Sequence, residues 1–354
     1  MSSTKHIKIK SEFRRLICAL LCLVTMLSLS ACGETREFKR QVFAMDTSMI
    51  LTAYGKKAEA GLSAAESVIR SMDSMLDPEL NTSIVYQINN ANGESVRVSG
   101  QVANMISIAK TVYERTGGAY DPTIFPLLKR WGFVDGQYYV PTEEEITENL
   151  ARLCFDKLVL SSFPNSGAYA VQLPETGQLS FASIAKGCAS TNAVEAMRQA
   201  GVTSGIISLG GNVQTLGKKP DGSNWNVAVT DPHDTSSFLG VVSVGETAVI
   251  TSGTYQRFFT KGAKTYHHLL STISGSPVNN TLASVTIICP DGTLADCLST
   301  AMFLVGETKA LNYWRTYGGF EMILVTNNNQ VICTSGLMEQ FTLSNDNYTL
   351  KYSE

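Results

Sequence analysis

The chain changes character near Gly205, and no other feature constrains its fold as strongly. Before that point, residues 57–76, 101–115 and 183–200 place apolar side chains at helical spacing. Those runs stop at Asp77-Pro78, Gly117-Gly118 and Gly201, where proline restricts the preceding residue or glycine accepts a left-handed turn. After it, segments at 206–209, 225–229, 248–252, 265–270 and 284–289 read as strands, and helices at 294–305 and 308–317 precede three closing strands. Extended pieces are also expected at 40–54, 158–160 and 169–173, and Thr142-Glu143-Glu144-Glu145 matches a capping box that opens a short helix. Hairpin-spaced strands with helices, and no regular βαβ array, predict an α+β fold with mixed or antiparallel sheets. At 354 residues and 44% apolar the chain can bury a large core. No linker marks a cut, so residues 41–354 are expected to form one domain with two lobes around a cleft.

The first thirty residues are a different kind of segment. Lys5, Lys8, Lys10, Arg14 and Arg15 precede an apolar stretch at 16–29 that is short for a bilayer span, the pattern of an export signal. Leu29-Ser30-Ala31-Cys32-Gly33 looks like the lipobox of bacterial lipoproteins. That likeness implies a signal peptide at 1–31, lipidation of Cys32, a polar tether at 32–40 and a domain facing the extracytoplasmic side of a membrane. Acyl chains, at about 0.8 kcal/mol per buried methylene, anchor without a spanning helix.

Charge and cysteines narrow the function classes. Twenty-eight basic against 31 acidic residues, with no basic run beyond the N-terminus, leave no nucleic-acid footprint. Beyond the signal and Cys32 remain Cys154, Cys188, Cys289, Cys297 and Cys333, an odd number without a C-x-x-C pair. Buried hydrophobes are the expected reading, in place of a disulfide scaffold or a zinc site.

Five stretches carry chemistry. Residues 293–300 read TLADCLST, and on a helix Asp296, Ser299 and Thr300 share one face. With Thr293 as N-cap, Asp296 falls at N3 and capping alone accounts for it. The alternative is a cluster of hard oxygens suited to Mg²⁺ completed by water or phosphate. Residues 180–187 read SFASIAKG, where Lys186 enters the first turn of a helix, an awkward place for a cation unless an anion sits there too. Residues 207–213, ISLGGNV, place paired glycines where backbone can approach a ligand or simply turn. Residues 265–270, TYHHLL, hold His267 and His268 on a strand whose alternation lets only one face a given cleft as a general base. Residues 117–123, GGAYDPT, lead into an aromatic cluster at 125–133 that suits a core or a platform for a planar ring.

Taken in order, these motifs resemble the ApbE family of FAD:protein FMN transferases, over about residues 43–305. They are Ala44-Met45-Asp46-Thr47, the AYDPT run at 119–123 with Trp131-Gly132-Phe133, Ile184-Ala185-Lys186-Gly187, Leu209-Gly210-Gly211-Asn212, Val229-Thr230-Asp231-Pro232, Thr251-Ser252-Gly253, His267-His268 and the LADCLST run at 294–300. The resemblance implies FAD in the cleft with Mg²⁺ on its pyrophosphate. FMN would pass to a threonine hydroxyl of an acceptor protein with an FMN-binding domain, of the Nqr or Rnf redox-pump type, and AMP would be released. On this chain it implies metal ligation by Asp296, Thr300, the Ser183 carbonyl and Ser299, and FAD contacts from Met45, Ser83, Ala119, Tyr120, Asp121, Ser180, Lys186 and Leu270. His268 would deprotonate the acceptor threonine. Three positions depart from the family pattern: Ser180 and Ser271 stand where Asp is usual, and Asp46 where Gly is usual. Two further readings use the same cleft, an FAD pyrophosphatase and a non-catalytic flavin-binding lipoprotein.

Overall fold

The computed structural model describes residues 36–163, 165 and 167–353. The export segment, Cys32 and most of the tether lie outside the described residues. The first strand begins at Glu37, so residues 37–40 of the expected 32–40 tether belong to the sheet.

Numbered along the chain, the first strands are β1 (Glu37–Ala44), β2 (Thr47–Tyr54), β3 (Ser95–Val98), β4 (Val159–Phe163), β5 (Ala168–Gln172), β6 (Gly205–Leu209) and β7 (Asn212–Leu216). There follow β8 (Trp225–Thr230), β9 (Phe238–Val244), β10 (Ala248–Gly253), β11 (Phe258–Lys261), β12 (Lys264–His267) and β13 (Leu282–Cys289). The last are β14 (Glu321–Thr326), β15 (Gln330–Thr334), β16 (Phe341–Leu343) and β17 (Thr349–Ser353). The helices are α1 (Ala58–Leu76), α2 (Ile84–Asn89), α3 (Gly100–Arg115), α4 (Phe125–Arg130), α5 (Glu143–Leu150), α6 (Ala185–Gln199), α7 (Gly292–Val305) and α8 (Glu307–Tyr317).

One nine-stranded sheet organises the rest, in the order β1-β2-β6-β7-β10-β13-β14-β15-β17. Its pairs are antiparallel except the last, β15 with β17. β13 lies near its middle and is buried at every position, because both faces are covered. Val285, Ile287 and Cys289 join the large apolar cluster on the helix side, while Ile288 joins the cluster under the small β16-β9-β8 sheet. Helices α1, α6 and α7 pack on the first face, which sets α7 against β10 and β13. A third cluster around Leu127, Trp131, Phe133 and Leu270 includes the β11–β12 hairpin through Phe259 and Tyr266. Glu37–Glu354 packs as one compact unit, so the two expected lobes are parts of a single body.

The α+β expectation therefore holds, with mixed sheets and packed helices. The capping box at Thr142 is present with both hydrogen bonds. All five cysteines are free and buried. Among the described residues no helix is long and apolar enough to cross a membrane. The strand expected at 265–270 stops at His267, because the chain turns there and Leu270 bridges to Pro277.

Candidate functional site

Two helices meet with almost no space between them, and the site begins there. A Cβ added to Gly187 in α6 would stand 2.0 Å from the Gly292 carbonyl oxygen and 2.5 Å from Asp296 Cβ in α7. Only glycine permits this approach, which presents Asp296 to the N-terminus of α6. The Gly187 amide donates to Asp296 Oδ2 at 2.8 Å, and Asn212 Nδ2 donates to Oδ1 at 2.9 Å. Each carboxylate oxygen retains lone-pair capacity.

The cap of α7 corrects one expectation. Asp291, not Thr293, is the N-cap, and its side chain accepts from the Thr293 and Leu294 amides. Asp296 is then the fifth residue of its helix and ties off nothing in it. The capping account of Asp296 falls, and the carboxylate instead faces a cleft of about 630 Å³.

Beside it the oxygens fall into a consistent order. Ser299 Oγ donates to the Asp296 carbonyl at 2.9 Å, so the 2.8 Å contact between Ser299 and Ser252 draws its proton from Ser252. Ser252 then has no proton left for Thr300 at 3.2 Å, and Thr300 must donate. The Thr300 lone pairs are thus free toward the cleft, which Thr300 and Ser252 both line. Helix geometry would direct the Gly187 amide to the Ser183 carbonyl four residues back, but the amide is spent on Asp296. Among the described residues no other amide takes that carbonyl. One carboxylate, one hydroxyl and one free carbonyl suit a hard divalent ion whose remaining positions go to water and phosphate. No group of three or more His, Cys, Asp or Glu able to hold a metal occurs among the described residues.

Lys186 is the second residue of α6 and lines the same cleft, half-buried. Among the described residues no carboxylate lies within ion-pair distance of it, so a cation stands unneutralised at the positive end of a helix. Tyr120 is buried, its hydroxyl 2.9 Å from Ser183 Oγ. Asp121 accepts from the Thr123 amide at 2.7 Å and the Thr123 hydroxyl at 2.5 Å, and burial pushes its pKa up. Ser180 Oγ accepts from the Ala182 amide at 3.2 Å. Ser271 Oγ accepts from the Ile273 and Ser274 amides, the turn-capping task an Asp there would perform.

Met45 and Asp46 form a two-residue turn between β1 and β2 with φ of 49° and 57°. Left-handed backbone at two non-glycine residues is the signature of a tight primed turn, and Asp tolerates it better than most. The Met45 amide donates to Asp73 at 2.8 Å. A Cβ on Gly210 would stand 2.3 Å from Thr47 Oγ1, so the β6–β7 turn is pressed against this one.

His268 sits across the cleft, half-buried, with Nδ1 3.2 Å from the Arg257 carbonyl. A carbonyl only accepts, so Nδ1 carries the proton and Nε2 keeps its lone pair. Desolvation drives the imidazole pKa down to about 3 against the pull of that hydrogen bond, helped by the Arg257 and Lys186 cations. His267 turns the other way and packs edge-on against Phe303.

The cleft brings together Met45, Ala119, Tyr120, Asp121, Ser180, Ser183, Lys186, His268, Leu270, Asp296 and Thr300. Two expected residues do not line it. Ser83 is the N-cap of α2, accepting from the Tyr86 amide and donating to the Asp77 carbonyl. Ser299 is fully buried behind Thr300 and holds Ser252. Asp73 and Arg257 line the cleft without having been singled out, and Asn212 and Ser252 line it after being quoted within motifs but given no role. For Asn212 the glycine pair before it was the available signal.

The ApbE family model matches residues 45–324. The chain belongs to the ApbE family. Its relatives include the FAD:protein FMN transferase of Klebsiella pneumoniae, 30% identical over 89% of this chain and 98% of that protein. That of Treponema pallidum is 28% identical over 94% of this chain and 96% of that protein. The crystal structure of the ApbE protein of Thermotoga maritima superposes with a TM-score of 0.76 at 27% identity, covering 84% of this chain and 96% of that one.

Proposed function

We propose that this chain transfers FMN from FAD to a threonine hydroxyl of an acceptor protein, with Mg²⁺ at Asp296. Like its curated ApbE relatives it is a transferase of the FAD:protein FMN class. The observation that carries the reading is the Asp296 carboxylate, turned into the cleft beside Thr300 and away from the cap of its own helix.

Asp296, Thr300 and the Ser183 carbonyl would hold the ion. Bound there, it supplies positive charge for the pyrophosphate oxygens. Lys186 and the α6 N-terminus add charge on the same side, and the AYDPT segment holds the flavin end. His268 Nε2 takes the proton of the acceptor hydroxyl. The threonine oxygen bonds to the phosphorus of the FMN half, the bond to the bridging oxygen breaks, and AMP leaves with that oxygen. The acceptors we favour are extracytoplasmic FMN-binding domains of Nqr or Rnf type. The lipid anchor at Cys32 and the extracytoplasmic location are part of the same proposal and rest on residues 5–33.

The test incubates full-length protein with FAD, Mg²⁺ and an FMN-binding acceptor domain, then reads acceptor fluorescence in a denaturing gel. Fluorescence lost in Asp296→Asn and His268→Ala is the expected result. AMP without labelled acceptor would assign a pyrophosphatase instead, and flavin binding without turnover a carrier.

A further inference from the structure

Asp46 keeps a left-handed backbone, φ 57°, that glycine would adopt at no steric cost. Among the described residues its carboxylate meets one partner, Arg257 Nη2 at 3.5 Å, 211 residues away in sequence. The turn that carries it is fixed from two sides, because the Met45 amide donates to Asp73 at 2.8 Å and Gly210 presses on Thr47. A short side chain on a fixed turn loses little freedom in pairing.

Arg257 is engaged in other directions as well. Its Nη1 donates to the Phe133 carbonyl at 3.3 Å, so the guanidinium fork spans two acceptors, which a point-charge ammonium does poorly. Its own carbonyl accepts from the His268 amide at 3.1 Å and from His268 Nδ1 at 3.2 Å. The imidazole is therefore oriented by the main chain of a residue whose side chain is tied twice. Asp46 comes from the large sheet, whereas Phe133 belongs to the third cluster with the β11–β12 hairpin, so the ion pair joins two walls of the cleft that both residues line. With side chains 78% and 44% exposed, the pair adds little to stability. Its effect is one of placement: without Asp46 the guanidinium keeps a single hydrogen bond and pivots about it.

We propose that Asp46 is a positioning residue for His268: by pinning Arg257 across the cleft it fixes the carbonyl that orients the imidazole, and so the direction of the Nε2 lone pair. The proposal rests on the base role that the transferase reading gives to His268. The flavin contacts and the metal ligands have no part in it.

The experiment compares full-length wild type with Asp46→Asn, Asp46→Gly, Arg257→Met and the double variant Asp46→Asn, Arg257→Met. Asparagine and glycine both accept the left-handed turn, so the single Asp46 variants remove the charge and keep the backbone. Transfer is measured at saturating FAD and FMN-binding acceptor domain, and FAD affinity is followed by flavin fluorescence. The imidazole ¹⁵N shifts of His268, assigned by their loss in His268→Gln, report its tautomer without any turnover. A base displaced by a fraction of an ångström should lower kcat by about threefold to tenfold in both single Asp46 variants, with FAD affinity unchanged. The double variant should be no slower than Arg257→Met, because the two residues act as one unit. The His268 shifts should move from a pure Nδ1–H form toward an average of both tautomers. Unmoved kcat and shifts overturn the inference, as do additive defects or a loss of FAD affinity that explains the slower rate. A wild type that labels no acceptor, while the His268 shifts still respond to Asp46→Asn, removes the transferase reading and leaves the positioning of His268 standing. A labelling wild type whose rate and shifts ignore both Asp46 substitutions removes the inference alone.

Discussion

Substituting Gly187 by Ala tests whether the crossing of α6 and α7 builds the corner proposed to hold Mg²⁺. The new Cβ would lie 2.0 Å from the Gly292 carbonyl oxygen, against about 3.3 Å for an ordinary carbon–oxygen contact. The helices must part by about 1.3 Å to restore that contact. Both obstructing atoms, that carbonyl and Asp296 Cβ, belong to or adjoin helical backbone, so neither can rotate aside. Overpacking of this kind costs about 1–3 kcal/mol, offset by about 0.5–1 kcal/mol because Ala is the better helix residue. A net loss of roughly 1–2 kcal/mol should lower the denaturation midpoint without changing its slope. The same shift carries Asp296 out of reach of the Gly187 amide, now 2.8 Å away, and displaces the ligands from one another. An ångström of misplacement is worth about a hundredfold in rate, so FMN transfer should fall by about that factor with weaker Mg²⁺ dependence. Gly240→Ala is the control, because its Cβ meets the Thr342 carbonyl at 2.5 Å in the small sheet, away from the cleft. It should destabilise comparably while activity per folded molecule is kept. A Gly187→Ala protein with wild-type Mg²⁺ affinity and turnover would refute the reasoning.

Other consequences are as direct. Lys186→Gln should raise the FAD KM about tenfold to a hundredfold, the equivalent of 1.5–3 kcal/mol for a hydrogen bond to a charged group, as read from initial rates. Ser83→Ala should cost about 1 kcal/mol in a urea melt through the lost α2 cap, with FAD affinity unmoved. Ser299→Ala should cost about 1–3 kcal/mol, since it orphans buried partners, yet Mg²⁺ titration should match wild type, whereas Thr300→Ala should weaken it. The lowered His268 pKa leaves the imidazole unprotonated from neutrality down to the acid side of 4, so the transfer rate should show no fall centred near 6.5. An inflection there that vanishes in His268→Gln would show the base to be solvated instead.

Much of this architecture is written locally. The α3 and α6 stops at glycine, the Thr142 capping box and the face shared by Asp296 and Thr300 all follow from spacings of three or four residues. What escaped the sequence is non-local. Asp296 meets Gly187 and Asn212 across 109 and 84 residues, and nothing in a helical period announces either. Two capping residues, Asp291 and Thr293, compete two positions apart, and the true cap lies on the β13 side, where Asp291 closes the turn out of the sheet. Ser83 was given as an FAD contact by resemblance alone, and its side chain is engaged as the α2 N-cap, a local role that the resemblance does not convey. Asp73 and Arg257 sit in ordinary helix and loop sequence, and only the folded cleft gives them company.

The outermost strands of the large sheet are β1 and β17, the first and last of the described chain. Until residue 349 leaves the ribosome, β15 offers a bare row of peptide groups to any neighbour. The final strand therefore covers β15, and trimming residues 349–353 should bare that row and promote self-association.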